Sequence, residues 1–157
     1  MNDVLIVDDN APLRAILSEI LSWVGFKVRA VESGRAAIES YKTKPATLVI
    51  LDICMPGMDG LETLKALRGI DPQVKVLGIS GFGSDLSTLF LKMMGALGAD
   101  AMLEKPFARA ALLKSVRKIL SPGLYPGSLQ VQIGSDRCYG EARRSFPGGH
   151  PPFGAKL

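Results

Sequence analysis

Short apolar runs alternate with amphipathic stretches from the N-terminus to about residue 120. The first run, Val4 to Val7, ends in Asp8-Asp9. Leu13, Ile16, Leu17, Ile20, Leu21 and Val24 then recur at helical spacing, and Gly25 fits the C′ position that closes such a helix. Phe26 to Val31 predicts a second strand. Ser33 can cap a helix running to about Thr43, and Pro45 marks the loop after it. The most apolar run, Leu48 to Leu51, again ends in an acid, Asp52. Met55-Pro56-Gly57-Met58-Asp59-Gly60 is loop and helix-start chemistry, followed by a helix from about Leu61 to Leu67. Val74 to Ile79 predicts a fourth strand ending at Ser80-Gly81. Ser84 or Asp85 caps a fourth helix that ends near Gly95 or Gly98. Ala101-Met102-Leu103 forms a short fifth strand, and Phe107 to Leu120 the last helix.

Five strands alternating with five helices imply right-handed crossovers and a doubly wound parallel sheet covered on both faces. The first and third strands are apolar without interruption, as strands buried on both sides must be. In such sheets the ligand site lies outside the carboxyl ends of the strands. Those ends carry Asp8, Asp9, Asp52, Ser80 and, just after the fifth strand, Lys105. Any one of them could be a turn former or a helix cap. Together they match one chemistry.

The chain has 157 residues, 47% of them apolar, enough for one domain with a true core. Its formal charge of +4 comes from 19 basic and 15 acidic side chains, with no block of five or six Lys/Arg, so no nucleic-acid partner is expected. Cys54 and Cys138 have no metal-type spacing and are too few for a disulfide framework. No signal peptide or membrane-length apolar run is present, and a cytoplasmic setting is expected. Residues 121–157 differ in character, with seven Gly and five Pro among 37 positions. A folded domain over 1–120 is expected, followed by a disordered or extended tail without an output domain; Ser128 to Ile133 could form one short strand.

Three carboxylates at one sheet edge repel one another unless a cation joins them. Hard oxygen ligands suit Mg²⁺, which takes one or two carboxylates, phosphate oxygens and water. An aspartate beside such a cation can attack phosphorus and form an acyl phosphate. A lysine and a hydroxyl nearby, Lys105 and Ser80, can bind the phosphoryl oxygens.

The sequence resembles the response-regulator receiver family over about residues 3 to 120. The likeness rests on Val7-Asp8-Asp9-Asn10 with Arg14, Leu51-Asp52-Ile53-Cys54-Met55-Pro56-Gly57-Met58-Asp59-Gly60, Ile79-Ser80-Gly81 and Gly98-Ala99-Asp100-Ala101-Met102-Leu103-Glu104-Lys105-Pro106-Phe107. It implies the strand order 2-1-3-4-5 and a cis Lys105-Pro106 bond. It implies Asp52 as phosphoacceptor and Asp9 as a direct Mg²⁺ ligand. Asp8 would hold the metal largely through water, the Cys54 backbone carbonyl would be a further ligand, and Ser80 and Lys105 would bind the phosphoryl group. It further implies a histidine kinase or histidine phosphotransfer protein as donor, a downstream target protein, and no enzyme activity beyond assisting its own phosphorylation and dephosphorylation.

Two features depart from the family pattern. Tyr or Phe commonly stands three residues before the lysine and reports phosphorylation by rotating; here Met102 stands there. Cys54 and Phe82, two residues after Asp52 and Ser80, are poor groups for holding an attacking water, which predicts a long-lived phosphoryl group. Cys54 itself reads as a small residue lending its backbone. Leu86, Leu89, Phe90, Leu91, Met93, Met94 and Leu97 exceed a single helical stripe, so the fourth helix either offers a partner or homodimer surface or carries a wide core face. Trp23 either meets a phosphodonor or packs on the adjoining helix.

A flavin-binding protein would need a phosphate loop where Asp8-Asp9-Asn10 stands, and an aspartyl-nucleophile phosphatase would place a second Asp where Cys54 stands. The reading that results is a single-domain regulator acting through protein–protein contact. Its alternatives are a phosphorylation-independent interaction module on the same fold and a fragment of a longer regulator.

Overall fold

Five runs pair in parallel as strands β1 (Asp3–Val7), β2 (Lys27–Val31), β3 (Leu48–Asp52), β4 (Val76–Ser80) and β5 (Ala101–Glu104) in a computed structural model that describes residues 3–81, 92–121 and 131–132. The sheet order is β2-β1-β3-β4-β5, the order expected, extended by a two-residue strand β6 (Val131–Gln132) beside β5. β6 is also parallel, with Met102 opposite Val131 and Leu103 opposite Gln132. It falls within the 128–133 segment read as a possible strand.

Helices α1 (Ala11–Trp23), α2 (Gly34–Thr43), α3 (Gly60–Ile70), α4 (residues 92–96) and α5 (Arg109–Leu120) cover the sheet. Side chains alternate between its faces with period two. Val4, Ile6, Leu48, Ile50, Leu77, Ile79, Ala101 and Leu103 pack with Leu17 and Leu21 of α1 and Leu112 and Val116 of α5. Leu5, Val7, Val49, Leu51, Val76 and Met102 face the other way, onto Ala37 and Tyr41 of α2, Leu64 and Leu67 of α3, and Met94 of α4. Full burial of a leucine such as Leu17 contributes about 1.5–3 kcal/mol.

Local signals explain most helix ends. Asn10 Oδ1 accepts from the Leu13 N–H and starts α1; Ser33 Oγ accepts from the Ala36 N–H and starts α2, as expected. Gly25 has φ +93° and stops α1 in the left-handed conformation that its lack of a side chain permits. Asp59 and Glu62 form a reciprocal capping box at the start of α3. That helix runs beyond Leu67 through Gly69 to Ile70, and the Asp71 N–H still donates to the Leu67 carbonyl before Pro72 ends it. β4 begins at Val76, two residues later than expected, because the Val74 N–H bonds back to Asp71 in a turn.

Ile16 lies outside the core stripe of α1 and is 53% exposed. In the fourth helical region Met94 is buried, Met93 is 42% exposed, and Leu97 packs partly against the core. Leu86, Leu89, Phe90 and Leu91, on which a dimer surface was read, lie outside the described residues, as do Phe82 and Cys138. Trp23 is 79% exposed with the Arg109 guanidinium of α5 over its ring, 5.1 Å from the centroid, so its contact is with the adjoining helix.

Candidate functional site

The carboxyl ends of β1, β3, β4 and β5 bring the expected residues to one sheet edge. Asp8 follows β1 directly, Asp52 and Ser80 are the last residues of β3 and β4, and Lys105 follows β5. Asp8, Asp52 and Ser80 are buried, whereas Asp9 is exposed at the mouth. Carboxylate oxygens of Asp8, Asp9 and Asp52 lie within 4.8 Å of one another.

Lys105 organises the pocket. Its Nζ donates to Asp8 Oδ2 at 2.9 Å and to Asp52 Oδ2 at 2.8 Å. The remaining oxygens are held by backbone. Asp8 Oδ1 accepts from the Asn10 N–H at 2.8 Å, and Asp52 Oδ1 accepts from the Cys54 N–H at 3.1 Å. Arg14 secures the turn by donating to the Asp8 carbonyl at 2.7 Å. The Lys105 N–H donates to the Ser80 carbonyl at 2.6 Å and ties the β5 end to β4. The Lys105-Pro106 bond is cis, as the family likeness implies.

Burial holds the Asp52 carboxyl above its ordinary range, with Lys105 and the Cys54 N–H offsetting part of the effect. For Lys105, burial favours the neutral amine, but its bonds to Asp52 and Asp8 outweigh this and hold the ammonium above its usual value. Desolvation, with the charges of Asp52 and Asp9 acting in the same sense, pushes the Cys54 thiol up, so Cys54 is exposed but not an activated thiolate.

The donor set fits a hard divalent cation: three converging carboxylates, one of them open to solvent, and an ammonium that already satisfies part of their charge. Gly60 is a site residue that its loop chemistry did not reveal. A Cβ there would lie 2.5 Å from the Asp52 carbonyl oxygen and 2.5 Å from Ile53 Cα. The start of α3 can therefore close against the Asp52 backbone only with glycine. Its N–H donates to the Ile53 carbonyl at 3.1 Å. Met102, read as a switch position, is buried on β5 and packs toward α4.

Residues 4–117 match the response regulator receiver domain family model. The chain is 37% identical over 119 residues to a chemotaxis protein CheY of Bacillus subtilis, covering 75% of this chain and 97% of that one. It is 33% identical to CheY of Thermotoga maritima, covering 74% and 95%. It is also 37% identical to the transcriptional regulatory protein CpxR of Escherichia coli, spanning 76% of this chain but only half of CpxR. Among solved structures, Vibrio cholerae CheY4 superposes with a TM-score of 0.70 at 30% identity, covering 76% of this chain and 99% of CheY4. A chain of the Borrelia burgdorferi CheX–CheY–BeF3–Mg complex gives 0.71 at 31% identity, covering 76% of this chain and 90% of that one.

The chain belongs to the response regulator receiver family, the phosphorelay module of two-component signalling. Members of this family are signalling modules and not enzymes in the ordinary sense. Among the described residues, no helix is long and apolar enough to cross a membrane.

Proposed function

We propose that this receiver accepts a phosphoryl group on Asp52 from a histidine kinase or a histidine phosphotransfer protein and passes the signal on by protein–protein contact in the cytoplasm. The observation that carries the reading is Lys105 Nζ bridging Asp8 and Asp52, beside the exposed Asp9. In this reading an Asp52 carboxylate oxygen forms a bond to phosphorus as the phosphorus–nitrogen bond of a phosphohistidine breaks and the imidazole leaves with the electron pair. Lys105, which now neutralises Asp52, moves to the phosphoryl oxygens, and the Ser80 hydroxyl donates to another. Asp8, Asp9, Asp52 and the Cys54 carbonyl would hold Mg²⁺, which supplies charge neutralisation for the transferring group. The Borrelia complex that contains a similar chain also contains BeF3 and Mg, which supports the same assignment here.

The single-domain reading, with the domain over 1–120 and the remainder as a tail, rests on the two CheY relatives, 97% and 95% of whose lengths are matched. Incubation with a small-molecule phosphodonor and Mg²⁺ tests the site. Intact-mass measurement should show one added phosphoryl group on the wild type and none on Asp52→Ala. Absence from the wild type, or persistence in the variant, overturns the proposal.

A further inference from the structure

Gly78 sits in the middle of β4, buried on both sides, where glycine offers nothing to pack. Its space is filled from the neighbouring strand. Gly78 stands opposite Met102 in the β4–β5 register. A Cβ at position 78 would overlap Met102 Sδ, and would lie 2.8 Å from Met102 Cε and 3.0 Å from Met94 Cε. The thioether of Met102 therefore lies in a slot that only glycine leaves open, and the methyl groups of Met102 and Met94 converge on it. Met102 is 1% exposed and Met94 fully buried. Ser80 lies two residues further along β4, on the same face as Gly78.

A side chain that left this slot would uncover a void over a glycine and bring its apolar length into water. Both effects oppose departure. Methionine also has no polar tip to draw it to the surface.

We propose that the Gly78 slot keeps Met102 buried in both the free and the phosphorylated protein, so that the acid pocket is linked to α4 by the internal Met102–Met94 contact and not by a side chain that moves between core and surface. The phosphorylated half of this inference rests on Asp52 being the phosphoacceptor; the free-state half does not.

Oxidative footprinting of the full chain with peroxide, read by peptide mass spectrometry, tests both halves. Met93, 42% exposed, is the internal reference. Met102 should oxidise at least about tenfold more slowly than Met93, with and without saturating beryllofluoride and Mg²⁺. Gly78→Ala should make Met102 readily oxidisable in the free protein. In methyl-labelled protein, the Met94 resonance should shift on beryllofluoride binding in the wild type and lose that shift in Gly78→Ala. Where Gly78→Ala alone does not fold, Gly78→Ala/Met102→Ala returns the volume; it should fold and still lack the Met94 shift.

Met102 oxidation rising to the rate of Met93 when beryllofluoride binds overturns the proposal. So does protection of Met102 in folded Gly78→Ala, or a Met94 shift that survives in the double variant. Beryllofluoride failing to bind, as read by fluorine NMR, would instead count against Asp52 as phosphoacceptor, and the free-state comparison would still decide the Gly78 slot.

Discussion

Lys105 Nζ stands 2.8 Å from Asp52 Oδ2, and the same ammonium is 2.9 Å from Asp8 Oδ2. One cation thus neutralises two buried acids that come from different strands. Lys105→Ala strands both. Removing one partner of a buried pair costs about 3–5 kcal/mol, and water reaching the partly exposed lysine lowers the expected loss to about 2 kcal/mol. Urea unfolding should show that loss. Millimolar Mg²⁺ should recover more stability in Lys105→Ala than it adds to the wild type, because the cation then supplies charge that the lysine no longer does. Equal gains in the two proteins would contradict a shared acid cluster.

The Tyr41 hydroxyl donates to Asp71 Oδ2 at 2.7 Å and joins α2 to the end of α3. Burial and then the Asp71 contact push the phenol above its ordinary value, while the hydroxyl holds the Asp71 carboxyl below its own. A raised phenol contributes stability that is complete below about pH 10 and is lost as pH climbs through the folded value. A lowered carboxyl contributes stability that is complete above about pH 4 and is lost as pH falls through the folded value. Tyr41→Phe should therefore cost about 1–2 kcal/mol at neutral pH. The difference from wild type should narrow at both extremes. Denaturant midpoints at acid, neutral and alkaline pH check this, and a constant difference would rule it out.

The parallel pairing and the residues of the acid pocket were legible because β1, β3, β4 and β5 are apolar runs followed by polar residues, whereas the order of the strands came from the family likeness and β2 carries Lys27 and Arg29. Asp8, Asp52 and Ser80 needed no more than that pattern. Ile16 misled because it falls at helical spacing yet lies at the margin of the stripe, where neighbouring elements decide exposure. Gly60 and Gly78 were not legible as close contacts. What a glycine makes room for depends on backbone or side chains distant in sequence, here the β3 end and Met102, and periodicity carries no record of it. Register also matters: Gly78 faces Met102 only because β4 and β5 pair as they do.

Cys54 lies beside Asp52, the proposed phosphoacceptor, with its N–H on Asp52 Oδ1 and its side chain exposed. A thiol held protonated there is a weak partner for water. Cys54→Asn places an amide that can donate to and accept from an incoming water molecule. The acyl phosphate should then decay faster than in the wild type, with its rate of formation little changed. Phe82→Glu, two residues beyond Ser80, should act in the same direction. Following loss of the phosphoryl mass with time measures both, and unchanged lifetimes in both variants would refute a slow-decaying site.

Gly60 and Gly69 lie on the same helix, and the same substitution should move stability in opposite directions at the two positions. Alanine ordinarily stabilises a helix relative to glycine by about 0.5–1 kcal/mol, because glycine loses more backbone freedom on folding. Gly69 is exposed, and nothing lies within 4 Å of a Cβ placed on it, so Gly69→Ala should show that gain. At Gly60 the new Cβ would fall 2.5 Å from the Asp52 carbonyl oxygen and from Ile53 Cα. Both are backbone atoms of the β3 end and cannot turn aside as a side chain would. Either α3 moves outward or the Asp52 backbone moves inward, and overpacking of this kind costs about 1–3 kcal/mol. Because the displaced backbone carries Asp52, the proposed phosphoacceptor, Gly60→Ala should also slow phosphorylation, whereas Gly69→Ala should leave it unchanged. Thermal unfolding and phosphorylation rates measured on the two variants together check the pair, and a stabilised Gly60→Ala with normal phosphorylation would contradict the close approach of α3 to Asp52.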